Sequence, residues 1–536
     1  MTNYQFTGGT ICAPATIPGT GAISIIRVSG KESLAIADKV IDTKGVPIAE
    51  TEGYRLRYGT VFEADGSVLD NVIVSVFRAP HSYTGENSVE ISCHASRFIV
   101  NKILELLVNA GARIAAPGEF TRRAFVNGKM DLAQAEAVAD VIASQSAASH
   151  RVAMNQLKGG FSSELKVLRE KLLTMTSLLE LELDFSEEDV EFASRKELGQ
   201  LVDDSLTHIR RLTASFSRGN AIKNGVPVAI VGATNTGKST LLNALLGEER
   251  AIVSDIAGTT RDTIEETLNI DGILFRFIDT AGIRETDETI EKIGIDRTFK
   301  KLGEATVVLG MTDLSRGEAA VLEDADFILS KVNEMGGVKN VAAENDGAET
   351  GGTSRSETGG ASRHGHGDGQ ERKVVILVNK CDVAGSFYKD DNGTGYGSGN
   401  DLGENMAEIG GNKNVNHDNN IVSLIENKYD NCKVIPISAK TGKGLSTLTK
   451  TLGEIGSEIT GSTDETLVTN VRHYEALVRA ASALERVRAG LHIATLPPDL
   501  IAQDLREALY HLGEIVGEIT TDETLGNIFR NFCIGK

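Results

Sequence analysis

The spacing of apolar residues changes character several times along this chain. Up to residue 118, short apolar runs alternate with Gly, Pro, Asp and Asn, and Ile23 to Val28, Val61 to Phe62, Val72 to Phe77 and Val89 to Cys93 predict strands. Ser33 to Ile41 and Ala95 to Ala110 place apolar side chains at helical spacing, so residues 1–118 are expected to form an α+β domain. After Pro117, Gly118 and Glu119 the period becomes almost purely helical: Phe120 to Asn127, Leu132 to Gln145, Ser146 to Leu157, Glu164 to Leu183 and Arg195 to Phe216. An acidic turn beginning near Leu181 interrupts this helical stretch of 119–220.

From Val226 apolar strands and helices alternate through 221–460, which predicts an α/β domain. Helical spacing returns over 461–536, where Tyr474, Leu477, Val478, Ala481 and Leu484 are expected to share one face. The two helical stretches then read as one all-α bundle into which the α/β domain is inserted. Two tracts near 336–372 and 384–420 are rich in Gly, Asn, Ser and Asp and bury too little apolar area to offset chain entropy, so they are expected to be surface insertions. His364 and His366 make at most half a metal site.

The stretch Val226 to Leu246 carries the clearest chemistry. A β-branched run leads to Gly232, then Asn235, Thr236, Gly237, Lys238, Ser239 and Thr240, then a leucine-rich helix. Small residues let several main-chain N–H groups curl around a polyphosphate, and the following helix start favours negative charge. Lys238 can reach the terminal phosphates and Ser239 can ligate Mg²⁺. A polar loop follows with Ser254, Asp255, Ile256, Ala257, Gly258, Thr259 and Thr260, placed where a switch offers a hydroxyl to Mg²⁺. Next come Asp279, Thr280, Ala281 and Gly282 at a strand end, able to meet metal-bound water and the γ-phosphate. Asn379, Lys380 and Asp382 follow another apolar run, and an aspartate there pairs with the guanine N1–H and 2-amino group, which adenine lacks. Ser438, Ala439 and Lys440 would close over the base. Ile283 stands where a Ras-like GTPase has its water-positioning glutamine, leaving Glu285, Glu288 and Glu291 as the nearby carboxylates.

Composition narrows the setting. At 536 residues the chain exceeds a single core, and 40% hydrophobic with 24% charged residues is ordinary for a globular protein. Cys12, Cys93, Cys381, Cys432 and Cys533 form no CxxC pair, so reduced thiols are expected. The N-terminus lacks a signal-peptide pattern and no apolar run approaches a membrane span, so the expectation is a cytoplasmic protein without membrane contact. A formal net charge of −20 argues against a nonspecific nucleic-acid coat, so any RNA contact is expected to use a local basic patch. Arg472, Arg479 and Arg486 recur every seven residues; they could meet phosphates, or pair locally as Glu475 would with Arg479. Arg27 reads as a solvated strand end and Glu90 as an outward strand residue.

Taken together, Arg27 to Gly30, the loop 79–87 (APHSYTGEN), 117–137 (PGEFTRRAFVNGKMDLAQAEA), 258–262 (GTTRD), 279–286 (DTAGIRET) and the terminal FCIGK resemble the MnmE (TrmE) family of tRNA-modification GTPases. The likeness covers nearly everything outside the two low-complexity tracts. It implies a Ras-like GTPase domain inserted into a helical bundle, preceded by a tetrahydrofolate-binding and dimerisation domain. It also implies a homodimer that works with the flavoprotein MnmG (GidA) in a larger hetero-oligomer, adding a carboxymethylaminomethyl-type group to carbon 5 of the wobble uridine of certain tRNAs. A 5-formyl or methylene tetrahydrofolate would contact Arg27, Glu90, Lys129 and Lys536. K⁺ would be held by Asn235, Ser254, Ile256 and Thr259, and Mg²⁺ by Ser239 and Thr260, with Glu291, Lys238 and Thr260 serving catalysis. Cys533 matches the family's terminal cysteine, as a structural thiol or a reactive one. Departures are Thr234, where proline is frequent, Ala95 and Ser96, where glycines are usual, and the insertions.

Two other readings compete. A ribosome-assembly GTPase would carry an RNA-binding module such as a KH domain with a GxxG loop after the nucleotide domain, where this chain has helices and FCIGK. A folate-dependent transferase would need an acid–base pair within the first 118 residues, where only binding residues are visible.

Overall fold

The computed structural model describes residues 8–184, 195–249, 266–278, 303, 305–334, 372–382, 421–429, 432–461, 465–493, 497–530, 532 and 535. The chain divides into two compact units, one of Met1–Ser144, His150–Phe216 and Asp464–Lys536, the other of Gln145–Ser149 and Ser217–Thr463.

The first unit opens with β1 (Ile11–Pro14), β2 (Ile23–Ser29), α1 (Ser33–Val40), β3 (Ile41–Asp42), β4 (Arg55–Phe62), β5 (Val68–Phe77), β6 (Ser88–His94), α2 (Arg97–Asn109) and β7 (Arg113–Ile114). These strands make one sheet in the order β3-β4-β5-β6-β2-β1-β7, antiparallel except where β1 meets β7. Alternation along β5 sends Val72, Val74 and Val76 into a core shared with Ile26, Val28, Ile91, Ile103 and Leu107. β4 starts earlier than the apolar run predicted, because Arg55, Leu56 and Arg57 pair with β5 through the ladder although Leu56 stays exposed.

Helices follow: α3 (Glu119–Val126), α4 (Leu132–Ala143), α5 (Ala147–Leu157), α6 (Gly160–Asp184) and α7 (Arg195–Asn224). Asp131 starts α4 with a capping box, its side chain accepting from Gln134 N while the Gln134 side chain accepts from Asp131 N. The second unit has β8 (Val226–Gly232), α8 (Lys238–Glu249), β9 (Glu266–Ile270), β10 (Ile273–Ile278), β11 (Val307–Asp313), α9 (Glu318–Glu334), β12 (Lys373–Asn379), α10 (Ile421–Lys428), β13 (Lys433–Pro436) and α11 (Leu445–Thr460). Its sheet runs β13-β12-β11-β8-β10-β9, parallel except for the β9–β10 pair. Strands covered on both faces read as continuous apolar runs, as β11 and β12 do, and separate cores lie on the two sides.

The chain ends in α12 (Val471–Leu491), α13 (Pro498–Val516) and α14 (Asp522–Arg530), within the first unit. The expected face of α12 needs correction. Ala476, Leu477, Ala480, Ala483, Leu484 and Val487 are buried against α6, α7 and α13, whereas Val478 is exposed and Tyr474 and Ala481 sit at the margin. Small alanines mark the buried stripe because α12 and α13 pack closely, a signal that weighting by side-chain size overlooks. The arginine stripe makes local ion pairs, one of the two readings its spacing allowed, with partners other than Glu475. Arg472 pairs with Glu136 at 2.9 Å, Arg479 approaches Glu514 at 3.8 Å, and Arg486 pairs with Asp504 at 2.8 Å and Glu507 at 2.6 Å. Its protein partners are carboxylates on α4 and α13, and Glu514 takes the place expected of Glu475. Among the described residues no helix is long and apolar enough to cross a membrane.

Candidate nucleotide site

β8 delivers the chain into the loop 232–239 at the carboxyl edge of a parallel sheet, where open α/β sheets place their ligands. Asn235 adopts φ +62° and is exposed. Thr236 is fully buried, its hydroxyl donating to Ala233 O at 2.9 Å. Gly237 has φ +100°, and a Cβ there would run into Asn379 Nδ2, so the position requires glycine both for conformation and for space. Lys238 begins α8 and donates to Gly232 O at 2.9 Å and Ala233 O at 2.8 Å. Its ammonium is thus folded over the loop, and burial pulls its pKa below the ordinary lysine value. Ser239 and Thr240 follow on the first turn of α8.

The other end of the site comes from β12 and β13. Asn379 is buried and bridges two loops, donating from Nδ2 to Thr236 O at 2.7 Å and accepting at Oδ1 from Ala439 N at 3.0 Å. Lys380 has φ +65° and its Nζ reaches Asp313 Oδ2 at 2.6 Å. Asp382 is exposed just beyond, and Cys381 N donates to Ile437 O at 3.2 Å, tying this turn to the segment before Ser438. Ser438 and Ala439 are buried and Lys440 is exposed. Backbone register therefore brings 235–240, 379–382 and 438–440 together at one sheet edge. Ser254, Asp255, Ile256, Ala257, Gly258, Thr259, Thr260, Asp279, Thr280, Ala281, Gly282 and Glu291 lie outside the described residues, as do both low-complexity tracts with His364 and His366.

A second constellation occupies the first unit. Arg27 and Glu90 face each other across β2 and β6, with Arg27 Nε to Glu90 Oε1 at 3.0 Å. Neither is a solvated strand end nor a lone outward charge; each is the other's cross-strand partner, which the isolated spacing of each could not reveal. The Arg27 guanidinium lies 5.0 Å from the Tyr83 ring centre and 5.7 Å from that of Phe120, and donates to Gly535 O at 3.4 Å. Lys129 Nζ donates to Pro80 O at 3.1 Å and so also ties down the 79–87 loop. Lys536 and Cys533 lie outside the described residues. The other four cysteines are free, and burial pushes each of these thiols up to about 11.

Comparison with known proteins shows the family. A model described as the MnmE helical domain matches residues 132–533, and one described as the GTP-binding protein TrmE N-terminus matches 10–129. A protein of Parabacteroides distasonis named tRNA modification GTPase MnmE is 46% identical over 530 residues, covering 98% of this chain and 100% of that one. The chain belongs to the MnmE family. Relatives of the same name from Bacteroides thetaiotaomicron and Bacteroides fragilis are 45% and 46% identical, each covering 98% of this chain and 99% of theirs.

Two residues that shape these sites escaped the motif reading of the MnmE family signature. Asp313 ends the apolar run of β11 and precedes Ser315, an acid-after-strand signal like that of Asp279 but without a family motif around it. Arg123 lies inside a quoted motif, yet only the fold shows it buried between Glu86 and Glu119.

Proposed function

We propose that this MnmE-family chain is a potassium-activated GTPase that takes part, with a flavoprotein partner of the MnmG type, in modifying carbon 5 of the wobble uridine of certain tRNAs. What supports the reading is the loop 232–239, joined through Asn379 to the 438–440 loop, in a chain whose relatives are named tRNA modification GTPases. In this reading the second unit is a Ras-like GTPase domain spanning 221–460, inserted into the helical bundle. The main-chain N–H groups of 235–240 and Lys238 bind the phosphates, and Asp382 reads guanine. Lys238 would exchange its two loop carbonyls for phosphate oxygens, whose negative charge offsets the cost that burial places on its ammonium.

Ser239 and Thr260 would hold Mg²⁺, and Asn235, Ser254, Ile256 and Thr259 would hold K⁺. Bound there, the two cations neutralise charge that develops on the phosphates. Asn235 suits this role because its left-handed backbone leaves an uncharged amide exposed at the loop's outer edge. Glu291 would orient water where Ile283 replaces the glutamine of Ras-like enzymes. The Arg27–Glu90 pair, with Tyr83 and Phe120 beside it, offers hydrogen bonds next to aromatic surface and so suits a tetrahydrofolate pterin, with Lys129 and Lys536 added to the site. The protein would act in the cytoplasm as a homodimer.

The test is GTP hydrolysis in potassium against sodium at equal ionic strength. The expected outcome is a potassium-specific acceleration on the order of 100-fold. Equal rates would leave a nucleotide site but remove the cation mechanism.

A further inference from the structure

The nucleobase end of the site contains an acid that no motif assigns. Asp313 is the last residue of β11 and stands in register with Asn379 of β12. Its side chain is 7% exposed, a depth at which an unpaired carboxylate is costly. Oδ1 accepts from Ser315 N at 3.0 Å and from Ser315 Oγ at 2.6 Å, so that oxygen is fixed by its own turn. Oδ2 faces the neighbouring strand end and receives Lys380 Nζ at 2.6 Å.

Lys380 needs such a partner. Its φ of +65° is uncommon for a long side chain, and its four-carbon stem has no preferred direction of its own. Asn379 beside it is already committed at both ends of its amide, to Thr236 O and Ala439 N. Asn379 therefore joins the phosphate loop to the 438–440 loop, while Lys380 ties the same turn to β11. Asp382, the residue proposed to read the base, is carried by that turn two positions on.

We infer that Asp313 is a positioning residue for guanine-nucleotide binding, holding Lys380 and with it the 379–382 turn in the geometry that receives the nucleobase. The inference rests on the proposed reading of this edge as a GTP site. An ammonium has three N–H donors and the Asp313 tie uses one, which leaves Lys380 able to meet a ligand while it is held. Losing the carboxylate loosens the turn before binding, so ligand affinity falls. The phosphate end keeps its own ties, from Lys238 to Gly232 O and Ala233 O.

The experiment uses the full-length protein and measures dissociation of a fluorescent GDP, together with KM and kcat for GTP. Asp313→Asn is expected to raise the GDP dissociation rate and KM about tenfold, the scale of one hydrogen bond to a charged group, with kcat within about twofold. Ser315→Ala frees the same carboxylate more gently and shifts both in the same direction by less, should the first variant fold poorly. In a Lys380→Met background the effect of Asp313→Asn should vanish, because both changes remove one interaction. Wild-type dissociation in Asp313→Asn, an undiminished effect in the Lys380→Met background, or a fall confined to kcat would each overturn the assignment. Wild-type protein that binds adenine nucleotides as tightly as guanine nucleotides would overturn the site reading itself, and this inference with it.

Discussion

The loop 232–239 and the loop 79–87 each follow a strand and each present polar groups, yet they are held by different chemistry. Around 232–239 the ties run to main-chain carbonyls: Lys238 to Gly232 and Ala233, the Thr236 hydroxyl to Ala233, and Asn379 to Thr236. Around 79–87 the central tie is ionic. Arg123 is buried and donates to both Glu86 oxygens, to Glu119 and to Gly9 O, while Glu119 also takes Arg113. Ser29 and Thr84 complete the Glu86 end, and Tyr83 Oη shares a hydrogen bond with Thr121. A loop fixed through its backbone tolerates exchange of an outward side chain such as Thr234. A loop fixed by a buried ion cluster depends on every charge in it, because each desolvated ion needs its partner.

The largest expected effect follows from that dependence. Arg123→Met leaves Glu86 and Glu119 facing each other without the shared guanidinium and should destabilise its unit by about 3–5 kcal/mol. Hydrogen exchange resolved by peptide is the suitable measurement, since the chain has two units and a single unfolding midpoint would mix them. Protection should fall in β2, β6 and α3, while GDP binding by the other unit stays as in wild type. Unchanged protection in β6 would show that the ionic tie carries no more than a backbone tie does.

The same unit holds a second buried ionic cluster, and pH probes it. Glu136 of α4 lies against Arg472 and His473 of α12, with His473 Nε2 2.6 Å from Oε2. Burial alone would raise the Glu136 pKa, but the His473 and Arg472 side chains outweigh it and bring the carboxyl down to about 2. A folded pKa below the unfolded one means that stabilisation is complete above about pH 4.5 and drains away as pH falls toward about 2. The amount is on the order of 3 kcal/mol. Glu136→Gln should lower stability at neutral pH and flatten the acid limb of the stability profile between those values. A variant whose acid limb is as steep as that of wild type would remove Glu136 as the titrating group.

These contrasts also explain what could be read in advance. The nucleotide loop was legible because its geometry is carried by contiguous small and polar residues, Gly232 to Ser239, between a strand and a helix whose periods are unmistakable. The strands β9 and β11 and the helices α9 and α11 carry no recognised motif, so nothing in the sequence singles them out. Arg27 and Glu90 look unremarkable one at a time; their pairing requires the β2–β6 register, and the approach of Gly535 joins positions 508 residues apart. The buried stripe of α12 was misjudged at Val478 because four of its six buried core positions are not large residues but Ala476, Ala480, Ala483 and Val487. Asp313 and Arg123 carry charges that a sequence presents as ordinary surface, and only the depth of each side chain separates them from it.

The smallest effect isolates burial from charge. Arg486 makes two ion pairs of good geometry, to Asp504 at 2.8 Å and Glu507 at 2.6 Å, and so on paper has as many carboxylate partners as Arg123. Its side chain is 45% exposed, however, so water and salt solvate the partners once it is removed. Arg486→Ala should therefore cost no more than about 1 kcal/mol, and that cost should shrink further in high salt, whereas the Arg123→Met effect should be nearly insensitive to salt. Measuring both variants by hydrogen exchange at low and high ionic strength separates the two cases. If Arg486→Ala proved as damaging as Arg123→Met, the number of ion pairs would govern this unit and its distinction from the backbone-held nucleotide loop would lose its physical basis.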